Sequence, residues 1–296
     1  MKRRGDQSGV ALVMVLWILL LVTISTGAYT LMARMDQLEA HTVLWGTQAR
    51  LAAEAGMNMA VLALRDPDEE QVWIADGRPY ELGYDDARIV IEVTDERGKV
   101  DINLADEETL VRLFVGNGLD ENDAGLLAAA VLDWTDEDNI VRSNGAEEEE
   151  YLAAGFSGGP ANRPFIMVEE MLQVLGMPWE LYKKMEPGLT VWTRGALPDP
   201  AYAPVEALLA LPDITPEDAV NFVEERHSQE GGKGLSVALP NGQVAVERGR
   251  GVTYSIVSKA TLPNGVWDQI EATIRLGANQ NGLPFSILRW QEGFHH

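Results

Sequence analysis

The chain of 296 residues contains no cysteine. Disulfides, thiolate metal sites and cysteine nucleophiles are therefore excluded. Histidine is nearly as scarce: His41, His227, His295 and His296 are the four, and apart from the terminal pair none has a metal-ligand spacing. The serines lack a nucleophile-elbow context, so nothing in the sequence reads as an active site. Positive charge is sparse, with 23 Lys and Arg against 46 Asp and Glu, giving a formal net charge of −23. Such a chain repels nucleic-acid phosphates and anionic lipid headgroups, and suits divalent cations or basic partners. Acidity that serves solubility alone is the other reading.

Charge of either sign is missing from one stretch. Val10 to Met32 is a run of 23 residues without a single charge, behind a short basic leader, Met1 to Gly9, that carries Lys2, Arg3 and Arg4 against Asp6. As a helix the run is about 35 Å long, enough to cross a bilayer core. The leader's charge favours the cytoplasmic side and sends the remainder out. Three readings compete. A cleaved signal peptide has an apolar stretch of about 7–15 residues and then a small-x-small site; this run is longer, and Thr26-Gly27-Ala28 is a poor site. A plain anchor helix is the second. The third is a prepilin-type segment cut before the run, at Ser8-Gly9-Val10, where a small Gly9 lets a protease approach the backbone closely.

Helical spacing continues through Met32, Met35, Leu38, Val43, Leu51, Ala55, Met59 and Leu62 until Pro67. This predicts one amphipathic helix from Val10 to about Arg65, roughly 84 Å long, whose outer half needs a sheet to cover it. Gly27 and Gly56 weaken it locally. Val72–Ile74 is a short candidate strand. Arg88–Thr94 alternates with Ile89, Ile91 and Val93 on one face, and Asp95-Glu96-Arg97-Gly98 reads as a turn into Lys99–Ile102. Residues 103 to about 226 read as helical. Asn103 caps a first helix bearing Leu110, Leu113 and Phe114, Gly116-Asn117-Gly118 breaks it, and Asp123–Trp134 follows. Val168–Leu175, Trp179–Met185, Val205–Leu211 and Thr215–Arg226 continue the series, the last capped by Thr215 with Pro216 next. Thr253–Thr261, Val266–Leu276 and Phe285–Trp290 are strands, joined by turns at Pro263-Asn264-Gly265 and Gln280-Asn281-Gly282.

The fold class is thus α+β, with a long N-terminal helix on an antiparallel sheet and a large α-helical domain inserted between sheet strands. The implied units are a leader (1–9), a membrane part of the long helix (10–32), its outer part with the first strands (33–102), the inserted helical domain (103–226) and the C-terminal strands (227–294). No role is assigned to His295-His296.

One polar cluster has the makings of a site. Asp133-Trp134-Thr135-Asp136-Glu137-Asp138-Asn139 precedes Gly145-Ala146-Glu147-Glu148-Glu149-Glu150-Tyr151. Hard cations such as Ca²⁺ take six to eight oxygen ligands, which acidic loops provide. Asp136 and Asp138 have the alternation of many calcium loops, but the Gly and closing Glu of an EF-hand are out of place. Asn162, in the stiff Pro160–Pro164 stretch, is a further oxygen donor. A solvated acidic loop is the competing reading. The Asn103–Gly118 segment has the outline of a helix-hairpin-helix, yet Arg112 is the only base between Asp101 and Ile140, which opposes phosphate binding.

Several segments together resemble the minor pseudopilin K family of bacterial type II secretion systems. They are Ser8-Gly9-Val10-Ala11-Leu12, Glu96 to Asn103, Leu132 to Asp138, Gly145-Ala146-Glu147 with Tyr151, Asn162-Arg163-Pro164, and Val168 to Leu172 leading to Gly176. The resemblance implies a pseudopilin fold with an inserted helical domain. It implies cleavage by a prepilin peptidase between Gly9 and Val10, methylation of the new amine, and a single pass through the inner membrane with the C-terminal domain in the periplasm. It implies structural calcium around Asp133, Asp136, Asp138 and Glu147, with Asn162 as a further ligand. The implied role is not enzymatic: capping or initiating the pseudopilus at its tip with minor pseudopilins I and J and other pseudopilins, for export across the outer membrane. Most pilin-type helices carry Glu at the fifth mature position, paired with a neighbour's amine. Here that position is Met14, as expected of a subunit with nothing ahead of it to neutralise. A minor pilin of a type IV system and a membrane-anchored periplasmic metal-dependent hydrolase are the alternatives.

Overall fold

The computed structural model describes residues 8–68, 72–229, 236–246, 249–277, 282 and 284–293. Met1–Gln7 of the leader, Gln280-Asn281 of the second turn and His295-His296 lie outside them. Helix α1 (Ser8–Leu64) is a single helix that stops ahead of Pro67. Its first half, Val10 to Trp45, is exposed throughout, and it is long and apolar enough to cross a membrane. Within it Thr23, Thr26 and Thr30 donate their hydroxyls to carbonyls four residues back at 2.7, 2.8 and 2.7 Å. Their polarity is thereby satisfied inside the helix, as a lipid environment requires.

The second half of α1 lies on the sheet, but not by the large residues that the periodicity suggests. Ala49, Ala52, Ala53, Met57, Ala60, Val61 and Leu64 are buried, whereas Leu51 and Leu62 are exposed. Close approach is the reason. A Cβ on Gly56 would collide with Ser258 Oγ and lie 2.7 Å from Ile89 Cγ2, so small side chains face the sheet and larger ones flank it.

The sheet has strands β1 (Asp76–Tyr84) and β2 (Ala87–Asp95) from one side of the insertion. The insertion follows, with β3 (Val100–Asp101), α2 (Glu107–Gly116), α3 (Glu121–Thr135), α4 (Glu148–Ala153), α5 (Trp179–Met185), β4 (Leu189–Thr190), α6 (Val205–Leu208) and α7 (Pro216–Ser228). A small hairpin, β5 (Ser236–Ala238) and β6 (Val244–Val246), precedes the return to the sheet in β7 (Thr253–Thr261), β8 (Trp267–Leu276) and β9 (Phe285–Glu292). The sheet order is β1-β2-β7-β8-β9, all antiparallel, so the helical domain is inserted between two neighbouring strands, β2 and β7. Ile89, Ile91 and Val93 of β2, Ile256 of β7, and Ile270, Ala272 and Ile274 of β8 form the core under α1. A second core holds the helices together around Phe114, Val131, Trp134, Tyr151, Met171 and Tyr182. Val237, Leu239 and Ala245 of the β5–β6 hairpin belong to this second core and not to the sheet.

Several local expectations are corrected. Val72–Ile74 is not a strand: Trp73 stacks on Tyr80 at 4.0 Å, and the Ile74 N–H donates to the Tyr80 hydroxyl at 2.8 Å. The strand beside it is β1, whose Pro79 is tolerated because β1 is an edge. Asn103 is not a cap. Asp106 caps α2 by accepting from the Thr109 N–H at 2.9 Å, while the Asn103 amide pairs with the backbone of Phe165 at 2.7 and 3.0 Å. Val168–Gln173 is a 3-10 helix. Thr215 does cap α7, accepting from the Asp218 N–H at 3.2 Å. The turn after α2 is used internally: buried Asn117 donates to the carbonyls of Leu113 and Glu206, and accepts from Lys184 Nζ at 2.6 Å.

Three ionic ties fix the insertion to the sheet. Arg226 of α7, fully buried, donates from Nη1 to the carbonyls of Pro200 (2.7 Å) and Ala203 (2.9 Å), and from Nη2 to that of Asp76 (2.9 Å). Arg78 grips the Asp76 carboxylate with Nε and Nη2, both at 2.9 Å, and donates to the Arg226 carbonyl at 3.1 Å. At the β2 end, buried Glu96 accepts from Lys99 Nζ (2.7 Å), Ser255 Oγ (2.6 Å) and Thr190 Oγ1 (2.5 Å). On β9, Arg289 reaches Glu169 at 2.6 Å and Glu186 at 2.8 Å.

Candidate metal centre

The acidic cluster sits on the insertion where α3 ends and α4 begins. Asp133 occupies the last turn of α3 and is fully buried; Asp136 follows the helix directly; Glu147 is the buried residue ahead of α4. The loop between them folds back so that one carboxylate oxygen each of Asp136, Asp138 and Glu147 lies within 4.8 Å of the others. Asn162 arrives from the Pro160–Pro164 loop in a left-handed backbone conformation, φ 48°. Its Nδ2 donates to the Asp138 carbonyl at 3.0 Å and to Asn139 Oδ1 at 2.7 Å. The loop is anchored by the Arg163 N–H donating to the Trp134 carbonyl at 3.3 Å, and by stacking of Trp134 on Phe165 at 5.7 Å.

The oxygens left over define what the cluster can do. Asp136 Oδ1, both oxygens of Glu147, Asn162 Oδ1 and Asp133 Oδ1 are buried without a hydrogen bond. Asp133 Oδ1 does have Arg142 Nε 3.1 Å away, out of line for a hydrogen bond, and Asp133 Oδ2 accepts from the Arg142 N–H at 3.2 Å. Burial, then the charges of Asp133, Asp136, Asp138 and Glu150, push the Glu147 carboxyl up to about 7. Crowded, buried, acceptor-only oxygens with no donor to satisfy them fit a hard cation with oxygen ligands.

Asp136, Asp138 and Glu147 are therefore brought together, Asn162 offers its carbonyl oxygen at the same loop, and Asp133 lies beneath them in contact with Arg142. Two residues have roles here that the sequence pattern does not assign. Arg142 supplies the guanidinium that bridges Asp133 and Asp136, at 3.1 Å to each. Gly145 lets the loop pass over Asp133, because a Cβ there would strike Asp133 Oδ2 and lie 2.8 Å from its Cγ. A lone Gly before an acidic run was the available signal for Gly145; nothing in the sequence pointed to Arg142.

The long helix on an antiparallel sheet, with a helical domain between β2 and β7, defines a pseudopilin fold. Residues 91–194, which run from β2 through the acidic cluster to just past β4, match the family described as type II secretion system (T2SS), protein K. In that segment, which holds the cluster, the chain is similar to the protein K family. It is 32% identical to the type II secretion system protein K of Klebsiella pneumoniae, with 61% of each chain covered. It is 27% identical to that of Pseudomonas aeruginosa, with 76% of this chain and 73% of the other covered. The chain spans about three fifths of the length of the first relatives it matches. In fold it is similar to a chain of the crystal structure of the GspK-GspI-GspJ complex from the enterotoxigenic Escherichia coli type 2 secretion system. That match has a TM-score of 0.54 and 19% identity, over 89% of this chain and 99% of the other.

Proposed function

We propose that the chain is a minor pseudopilin of a type II secretion system, seated at the tip of the pseudopilus and acting in assembly and not as an enzyme. The observation that carries this reading is the protein K match over residues 91–194, in a chain whose exposed apolar helix has no acid from Val10 to Met32. A prepilin peptidase cuts between Gly9 and Val10 and methylates the new amine. The apolar half of α1 holds the chain in the inner membrane, with the remainder in the periplasm, and later packs beside other pseudopilin helices. Met14 stands where a carboxylate would need a neighbour's amine, which suits a subunit with no neighbour above it.

The partners are minor pseudopilins I and J, as the related solved complex suggests. The inserted domain blocks further addition, and the ties at Asp76–Arg226 and Glu96–Lys99 support this by making domain and sheet one rigid unit. Calcium is a structural ion held by Asp133, Asp136, Asp138, Glu147 and Asn162. It supplies the positive charge that lets these oxygens stay buried together, and so ties the Asp136–Glu147 loop to the Asn162 loop. Co-expression of the full chain with minor pseudopilins I and J, followed by detergent extraction and sizing, tests the assignment. A ternary complex that forms without the major pseudopilin is expected; no association of the three would defeat it.

A further inference from the structure

A groove of about 410 Å³ opens where the insertion meets the start of β7, lined by Arg97, Trp192, Arg194, Val252, Thr253 and Arg275 together with Asp95 and Glu96. The two acids are spent. Asp95 is closed off by Arg97, whose Nε and Nη2 lie at 3.0 and 2.8 Å, and Glu96 is closed off by Lys99 and two hydroxyls. Each is buried and neutralised by its own cation.

Arg194 and Arg275 have no such counter-charge among the described residues. Both are exposed, and among the described residues neither forms an ion pair; Arg275 has only a long contact from Nε to Thr253 Oγ1 at 3.5 Å. Trp192, whose backbone N–H donates to Thr190 Oγ1 at 3.1 Å, lines the groove as one wall, and its ring N–H has no acceptor among the described residues. Val252, 60% exposed, forms an apolar lip. In a chain of net charge −23, two uncompensated guanidinium groups in one groove are a local reversal of sign, and they present forked donors suited to carboxylates.

We propose that this groove binds a carboxylate-bearing peptide segment of another protein. A free inorganic anion would use the arginines but leave the indole wall and the Val252 lip without a purpose. A peptide brings apolar side chains and carboxylates together. The rest of the surface repels an acidic segment, so the groove also sets where such a segment lands. The site does not depend on the assembly reading, since peptide binding is measured without any pilus partner.

The test uses the full chain in neutral detergent and a fluorescent peptide of alternating Glu and Leu, followed by anisotropy. Saturable, salt-sensitive binding is expected. Arg194→Gln with Arg275→Gln should weaken it about tenfold or more. Arg194→Lys with Arg275→Lys should keep part of it, which separates loss of charge from loss of fold. No binding by the parent chain would overturn the proposal, as would equal binding by the Gln double variant or equal binding of a Gln-for-Glu peptide. Displacement by inorganic phosphate as effective as by unlabelled peptide would overturn the peptide assignment.

Discussion

Arg226→Met removes the guanidinium that joins α7 to the edge of the sheet while keeping the apolar stem. The arginine is fully buried, and burial pulls its guanidinium down to about 10 against the opposing pull of Asp76, which leaves it charged at neutral pH. Its loss strands the backbone carbonyls of Pro200 and Ala203, which now accept at 2.7 and 2.9 Å, and leaves the Asp76 carbonyl with His227 Nε2 at 3.0 Å as its remaining side-chain partner. It also removes one of the two arginines facing the Asp76 carboxylate. Breaking one partner of a buried pair costs about 3–5 kcal/mol, which accelerates exchange through seam opening by roughly 10² to 10⁴. Amide hydrogen exchange on the full chain reads this directly. Residues 76–84 and 216–228 should exchange faster by that factor, while residues 121–135, inside the second core, change least. Adding Asp76→Asn should cost less than the sum of the two single changes, because no carboxylate is then left short of a partner. If exchange at 76–84 and 216–228 changes less than about fivefold, Arg226 does not hold the seam.

Chelation of calcium should lower the melting temperature of the full chain. At about 100 times its dissociation constant, bound calcium adds about 2.7 kcal/mol, or roughly 5–10 °C in a domain of this size; an unchanged melt would remove the metal site. Gly145→Ala should abolish that calcium response and cost about 1–3 kcal/mol, since the methyl falls on the Asp133 carboxylate. A variant that keeps the full calcium shift would show that Asp133 has no part in the site. Gly56→Ala should destabilise the chain in denaturant melts despite a helix-propensity gain of about 1 kcal/mol, because its Cβ meets Ser258 and Ile89; a more stable variant would contradict the close helix–sheet contact.

What could be read from sequence follows physical lines. Alternation marked β2 and β8 because one face of each is wholly apolar, Ile89-Ile91-Val93 and Ile270-Ala272-Ile274. The Thr215-Pro216 start of α7 was legible because capping is local. Strand β1 was not: Gly77, Pro79 and Gly83 interrupt any strand pattern, and its place at the sheet edge is what permits Pro79. The face of α1 that meets the sheet is not the one its large residues mark, because a close crossing favours alanine and glycine. In the acidic cluster the residue types and the Asp136–Asp138 rhythm were visible. The left-handed turn at Asn162 and the Arg142 bridge join segments distant in sequence, and no periodicity reports such contacts. The Asp76–Arg226 seam, 150 residues apart, was invisible for the same reason.

The mature N-terminus of the chain, purified from its own membranes and measured by intact-mass and peptide mass spectrometry, is the most direct check on the pseudopilin assignment. A chain that begins at Val10 with a methylated amine is the predicted result. A chain that begins at Met1, or beyond Met32, would contradict it.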